Sequence, residues 1–245
     1  MNNAPPKNVV ILTSGLAGSS VLTALLARNG YWTGDDTFKK ADYDTYENIE
    51  LVQLNDRLLA DVGFDQPWTM CFEPHYVSDI EARLSSVDTS SAEAFVAKCR
   101  GKAPWVWKDP RLWLTIRFWQ RFLDLSSTVF LLIRREMLQS WVSTTKRRQI
   151  QTMEYLKRYN DGIHETIIDF VEGCDAKYLD FVYEDLIVDP ATAISAINKM
   201  LNTNLTVEDF AHVFRGRLYR RQYGIPGFLH ASAIYLKNYR QRHRV

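Results

Sequence analysis

Four short apolar segments, separated by stretches of helical periodicity, constrain the fold of this chain more than any other feature. The segments are rich in β-branched or aromatic residues and span residues 8–13, 104–107, 128–133 and 177–183. Such runs are typical of strands that are buried on both faces of a parallel sheet. Helical patterns lie at residues 19–28, 50–61, 137–147, 151–172 and 190–201. This alternation predicts an α/β fold with a central, mainly parallel sheet, in which ligands bind at the carboxyl ends of the strands.

The composition is that of a folded globular protein. Of the 245 residues, 46% are hydrophobic and 13% aromatic, which excludes a disordered or fibrous chain. No stretch approaches the roughly 18 uncharged apolar residues of a membrane span. Three widely spaced cysteines (Cys71, Cys99 and Cys174) predict neither a disulfide framework nor a zinc site. We therefore expect a cytoplasmic protein that forms one domain over residues 1–245.

The charge distribution is uneven, although the formal net charge is only +1. Residues 215–245 contain eight Lys or Arg and no Asp or Glu, whereas the rest of the chain has 22 basic and 29 acidic residues. A basic segment on an acidic body indicates an anionic ligand. A solvated helix explains the same pattern equally well, so both interpretations stay open.

A loop of small residues follows the first predicted strand. It consists of Ser14, Gly15, Leu16, Ala17, Gly18, Ser19 and Ser20 and leads directly into a helix. Glycines allow close approach of an anion, and a helix N-terminus offers free N–H groups and a partial positive charge. The loop is therefore a candidate phosphate cradle, the alternative being a plain strand-to-helix turn. It lacks the lysine of the nucleoside-triphosphate loop.

Two further strand ends carry charged residues. The second apolar segment ends in Lys108, Asp109, Pro110 and Arg111, and the third ends in Arg134 and Arg135 before a helix that carries Ser143. An arginine and a serine can grip a phosphate from two sides. Each cluster alone also fits a charged turn. Three strand ends at one sheet edge, all suited to anions, favour a binding site.

These clusters, in this order, resemble sulfotransferases that use 3′-phosphoadenosine 5′-phosphosulfate (PAPS). Residues 108–112 with Leu114, Thr115 and Trp119 are similar to a K-D-P-R motif of bacterial members, and residues 46–59 to another stretch of that group. Residues 183–186 resemble the Y-E-D-L segment of the family. The resemblance covers nearly the whole chain. It implies a single-domain, P-loop-like, three-layer α/β fold.

The resemblance also implies roles for individual residues. The loop at residues 14–20 would bind the 5′-phosphosulfate end of PAPS, and Arg134 or Arg135 with Ser143 would bind the 3′-phosphate. A basic loop over the nucleotide would include Arg215, Arg217 and Arg220. The donor product would be 3′-phosphoadenosine 5′-phosphate (PAP), and no metal is expected.

Sulfuryl transfer resembles phosphoryl transfer, with in-line attack through a loose transition state. A cation near the departing phosphate oxygen lowers the barrier. We assign this role to Lys108, which matches a catalytic lysine of tyrosylprotein-type sulfotransferases. Glu47 is the first candidate for the base that accepts the acceptor's proton, and His75 is the second.

One position departs from the family pattern, because Leu16 stands where the family loop carries Arg or Lys. Either Lys108 replaces that charge, or the chain binds PAP or PAPS with little or no turnover. A P-loop-like kinase is less favoured, and a nucleic-acid partner is not expected. The predicted acceptor is a hydroxyl-bearing small molecule or glycan.

Overall fold

The computed structural model describes residues 5–41, 43–64, 74–146, 152–214 and 224–237. The strands within these ranges are β1 (Asn8–Leu12), β2 (Thr37–Lys39), β3 (Asp44–Asn48), β4 (Val106–Lys108), β5 (Thr128–Arg134) and β6 (Tyr178–Val182). The first helices are α1 (Ser19–Arg28), α2 (Ile49–Asp61), α3 (Tyr76–Glu81), α4 (Ser90–Arg100), α5 (Leu112–Trp119) and α6 (Met137–Lys146). They are followed by α7 (Met153–Gly173), α8 (Asp185–Val188), α9 (Pro190–Leu201), α10 (Val207–Val213) and α11 (Gly224–Lys237).

The central sheet has four parallel strands in the order β4-β1-β5-β6. These are the four strands that the apolar segments predict. β4 is shifted along the chain relative to residues 104–107, so that it ends at Lys108 beside Ile11 of β1. All four carboxyl ends therefore meet at one edge of the sheet. β2 and β3 form a separate antiparallel hairpin, which the sequence pattern does not indicate.

Side chains of each strand alternate between two hydrophobic cores. Val10 and Trp107 belong to the core that contains residues of α2, α4, α5 and α7. Val9 and Val106 belong to the other core, with residues of α1, α9 and α10. The sheet is thus covered on both faces, which explains why β1, β4 and β5 are mostly buried and largely apolar. The predicted three-layer α/β architecture is confirmed.

Helix ends follow local capping rules. α1 covers the predicted residues 19–28 and is followed by Gly30 with φ of 91°. α9 begins at Pro190, and the Asp189 carboxylate accepts a hydrogen bond from the Thr192 amide at 3.2 Å.

Within the described ranges, no helix is long and apolar enough to cross a bilayer.

Candidate functional site

The loop between β1 and α1 has left-handed backbone at Gly15, Leu16 and Gly18, with φ values of 90°, 54° and 80°. A Cβ on Gly18 would lie 2.4 Å from the ring of Tyr183, so only glycine fits there. Gly18 is also the N-cap residue of α1, and no side chain in the described part of the chain caps that end. The first amides of α1 are therefore available to an anion.

Leu16 stands out because non-glycine residues seldom adopt the left-handed region. That conformation costs about 1–2 kcal/mol and is concentrated at functional sites. The carbonyl of Leu16 accepts a hydrogen bond of 2.8 Å from the Arg135 guanidinium. Arg135, which directly follows β5, thus links the end of that strand to the loop between β1 and α1.

Lys108 is the centre of the candidate site. Its side chain leaves the end of β4 and is only 6% exposed. The ammonium donates to the Ser20 hydroxyl at 3.3 Å, to the Thr45 carbonyl at 3.3 Å and to the Glu47 carboxylate. One buried cation therefore joins the start of α1 to the hairpin.

Glu47 lies on β3, and its side chain is mostly buried. The preceding residue, Tyr46, has φ of 57°, and its amide donates to Asp44 Oδ1 at 2.7 Å. The hairpin register is irregular between Thr37 and Lys39, opposite this stretch. The left-handed residue Tyr46 and the irregular register therefore lie next to Glu47, whose carboxylate contacts Lys108.

A buried hydrogen-bond network lies behind Lys108. Asn55 on α2 donates to Asp109 at 2.9 Å and accepts from Thr115 at 2.9 Å and from Trp119 at 2.8 Å. Sequence reasoning assigned no role to Asn55, although its motif was noted. The network joins two of the motifs on which the resemblance rests, the one at residues 46–59 and the K-D-P-R motif.

Arg111 extends this network towards the surface. Its guanidinium pairs with Asp109 at 2.8 Å and with Asp56 at 2.9 Å. Burial raises the pKa of the Asp109 carboxyl, while Arg111 and Asn55 act in the opposite direction. Burial also raises the pKa of Asp56, again opposed by Arg111.

The two strand-end arginines point to different partners. Arg134 is half-exposed and makes two hydrogen bonds to Asp180, at 3.0 and 2.9 Å. Arg135 is mostly buried, contacts the loop carbonyl of Leu16 and lies 3.5 Å from the buried Glu184 carboxylate. Only Arg135 of this pair reaches the loop.

The serines of α6 also differ. Ser140 is buried, and its hydroxyl accepts a hydrogen bond of 3.1 Å from Asn160. Ser143 is half-buried, one turn further along α6. Ser140 is thus engaged in packing α6 against α7, which leaves Ser143 as the serine to consider for ligand binding.

His75 is exposed immediately before α3, and its ring lies 4.5 Å from that of Tyr76. In the described part of the chain it makes no hydrogen bond or ion pair to Lys108 or Glu47.

The predicted nucleotide-binding residues Arg215, Arg217 and Arg220 lie outside the described residues. Among the residues that are described, no three His, Cys, Asp or Glu side chains are grouped to hold a metal ion.

Two solved structures with a similar fold are sulfotransferase domains. One is the sulfotransferase domain of the Synechococcus PCC 7002 olefin synthase, with TM-score 0.55 and 18% identity over 94% of this chain and 85% of that one. Another is the sulfotransferase domain of the curacin biosynthetic pathway, with TM-score 0.54 and 14% identity over 91% and 82% of the respective chains. No protein-family model and no curated protein matches the chain. The chain therefore has the α/β sulfotransferase fold.

Proposed function

We propose that this chain is a single-domain sulfotransferase that moves a sulfuryl group from PAPS to the hydroxyl of a small molecule or glycan. A fold alone does not decide an activity, so the proposal depends on one observation. Lys108, a buried cation, contacts both Ser20 at the start of α1 and Glu47 on the hairpin. A cation of this kind, between an anion-binding helix end and a carboxylate, suits the transfer of a sulfuryl group away from a phosphate.

The loop at residues 14–20 would hold the 5′ end of the donor. Its support is the uncapped start of α1 and the close packing of Gly18 on Tyr183. Fixed amides at a helix N-terminus bind phosphate oxygens without reorganisation. Ser19 and Ser20 would add hydroxyl donors at the same end.

The 3′-phosphate would be bound by Arg135 and Ser143. Arg135 reaches the loop through the Leu16 carbonyl, whereas Arg134 is held by Asp180. The buried carboxylate of Glu184 lies beside Arg135 and fixes its direction. Arg215, Arg217 and Arg220 would complete the nucleotide site, as the family resemblance implies.

Lys108 would stabilise the leaving group. PAPS supplies a sulfuryl group on an activated phosphate oxygen. As the acceptor oxygen bonds to sulfur, the bond from sulfur to that phosphate oxygen breaks, and the electron pair leaves with PAP. An ammonium at this oxygen offsets the developing charge, and loss of one such contact typically costs about 3–4 kcal/mol.

Glu47 would accept the proton of the acceptor hydroxyl. Its carboxylate contacts Lys108, so the proposed base and the proposed leaving-group cation are direct neighbours. An acceptor oxygen within hydrogen-bond reach of Glu47 would face the bond that breaks. His75 remains a second candidate, although it is exposed and lacks this contact.

A non-catalytic PAP- or PAPS-binding module is the second candidate function. It is favoured by Leu16, an uncharged side chain in a strained conformation at the centre of the loop. Such a module would bind PAP tightly without turnover. A large gain of transfer in Leu16→Arg would show that the site lacks this charge, whereas a sulfotransferase in which Lys108 replaces the charge would transfer sulfate without the substitution.

The test combines binding with turnover. Calorimetry should give tighter binding of PAP than of ADP with Mg²⁺, because ADP lacks the 3′-phosphate that Arg135 would hold. Radiolabelled PAPS should then transfer its sulfuryl group to at least one member of a panel of hydroxyl acceptors. Tight PAP binding without transfer would favour the binding module. Tighter binding of the ADP complex would contradict both and favour a kinase.

A further inference from the structure

Thr45 is a buried polar residue in the hairpin of β2 and β3, with a side chain that joins the two strands. It is only 2% exposed, and its hydroxyl donates a hydrogen bond of 2.6 Å to the carbonyl of Phe38 on the facing strand. This bond lies where the register of the hairpin is irregular, between Thr37 and Lys39. The Thr45 side chain therefore connects the strands at a place where the regular ladder of main-chain bonds is interrupted.

The same hydroxyl also stabilises the backbone around Tyr46. It accepts a hydrogen bond of 3.3 Å from the amide of Glu47, two residues further on. Ser and Thr side chains support tight bends through contacts of this kind. Tyr46 lies between the two residues and has left-handed backbone with φ of 57°, which is unfavourable for a residue other than glycine. The Thr45 hydroxyl thus helps to hold a bend that the backbone alone disfavours.

The main chain of Thr45 contacts the other proposed catalytic group. Its carbonyl accepts a hydrogen bond of 3.3 Å from the Lys108 ammonium, which also donates to the Ser20 hydroxyl and to the Glu47 carboxylate. These three acceptors match the three protons of an ammonium. Thr45 is therefore bonded through its side chain to the backbone of Glu47 and through its carbonyl to the side chain of Lys108.

We propose that Thr45 is a positioning residue for the transfer reaction. Its hydroxyl holds the bend at Tyr46, and this bend directs the Glu47 carboxylate and the Thr45 carbonyl onto the Lys108 ammonium. Thr45 acts through Glu47 and Lys108 and is assigned no contact with donor or acceptor. Its effect on the reaction rate rests on the proposed function, whereas its effect on the placement of Lys108 does not.

Two substitutions separate the hydroxyl from the rest of the side chain. Thr45→Val removes the hydroxyl and keeps the branched shape, whereas Thr45→Ser keeps the hydroxyl and removes a methyl group. If the hydroxyl positions Glu47, the valine variant should be the more impaired of the two. Thr166→Val is the matched control, because the Thr166 hydroxyl also donates to a main-chain carbonyl, that of Gly162 at 2.8 Å, but lies on α7.

The first measurement does not need turnover. Acetylation of lysines by an N-hydroxysuccinimide ester is followed by mass spectrometry on the peptides that carry Lys108 and the exposed Lys102. Only the unprotonated amine is nucleophilic, so an ammonium that is bound to three acceptors reacts slowly. We expect Lys108 to react at least about fivefold faster in Thr45→Val, the factor that corresponds to one hydrogen bond. Lys102 should react at an unchanged rate, and Thr45→Ser and Thr166→Val should leave both rates unchanged.

The second measurement separates turnover from nucleotide affinity. With labelled PAPS, Thr45→Val should lower kcat at least about fivefold, while calorimetry should give an unchanged affinity for PAP, because the loop and Arg135 are left in place. Thr45→Ser should restore kcat to within about twofold of the unchanged chain. A lack of transfer by the unchanged chain would overturn the proposed function, and the acetylation of Lys108 would still test the placement.

Equal acetylation rates of Lys108 in Thr45→Val and in the unchanged chain would overturn the proposal. A faster rate in Thr45→Ser than in Thr45→Val would also overturn it and would assign Thr45 to packing alone. Thermal melting of each variant checks that the fold is kept. Should Thr45→Val fail to fold, Thr45→Cys takes its place, since a thiol is a weaker donor and acceptor than a hydroxyl, and Lys108 should again react faster than in Thr45→Ser.

Discussion

Asn55 donates a 2.9 Å hydrogen bond to Asp109, and both side chains are fully buried. Asp109 directly follows Lys108, so this bond fixes the strand end from which Lys108 extends to Ser20 and Glu47. The amide of Asn55 has three side-chain partners in all. Its loss would remove the hydrogen bonds that Asn55 makes to Asp109 Oδ2 and to the Trp119 indole, while Asp109 Oδ1 would keep its bonds from Arg111.

Asn55→Ala should therefore destabilise the protein by about 2–3 kcal/mol, the range expected when buried polar groups lose their partners. Urea unfolding measures this change. Gln53→Ala is the control, because Gln53 is exposed on the same helix, and its effect should stay within about 0.5 kcal/mol. Equal stabilities of the two variants would show that the network contributes nothing.

Lys108→Met should lower kcat by about 10²–10³-fold, since Met keeps the volume of the buried stem but removes the charge at the leaving oxygen. The affinity for PAP should change much less, because the loop and Arg135 are left in place. Lys102→Met is the control at an exposed lysine near β4. Initial rates with labelled PAPS give kcat, and calorimetry gives the PAP affinity. Full activity of Lys108→Met would refute the assigned role.

Glu47→Gln should reduce kcat by about 10²–10⁴-fold, the usual contribution of a general base. The substitution keeps the shape of the side chain but cannot take up a proton. His75→Gln should reduce kcat by less than about threefold, because His75 is exposed and outside the Lys108 cluster. The pH dependence of kcat distinguishes the two residues, since only loss of the true base removes the acidic limb of the profile. A larger loss of kcat in His75→Gln than in Glu47→Gln would assign the role of the base to His75.

The parallel sheet could be predicted from the sequence mainly because β1, β4 and β5 are buried on both faces and carry a nearly continuous run of apolar residues. The same reasoning placed Lys108 and the loop at one sheet edge. It could not predict the hairpin of β2 and β3, whose residues are largely polar and lack strict alternation. It also could not predict that Arg134 and Arg135 have different partners, because the partner of Arg134 is Asp180, a residue 46 positions away.

Arg135→Ala should weaken PAP binding at least about tenfold, the loss of a charge-assisted bond to a phosphate. Arg134→Ala should change PAP binding by less than about twofold, because its guanidinium is already bound to Asp180. Calorimetry on this neighbouring pair measures both constants under one set of conditions. The reverse order of effects would assign the 3′-phosphate to Arg134.

Asp180 should make stability depend on pH in the acid range. Burial would raise its pKa, but hydrogen bonds from His164 and Arg134 hold the pKa below the usual 3.8. A carboxyl whose pKa is lower in the folded state adds stability above its unfolded pKa and loses it as pH falls through the folded value. Asp180→Asn should thus be less stable at neutral pH by up to about 1 kcal/mol.

Once the pH falls below the folded-state pKa of Asp180, the difference between Asp180→Asn and the unchanged chain should disappear, because Asp180 is then protonated in both states. Urea unfolding at a series of pH values measures it. Asp61→Asn serves as control, since Asp61 is exposed at the end of α2 and should show no such convergence. A stability difference that is constant from neutral to acidic pH would mean that the ion pair with Arg134 does not stabilise the fold.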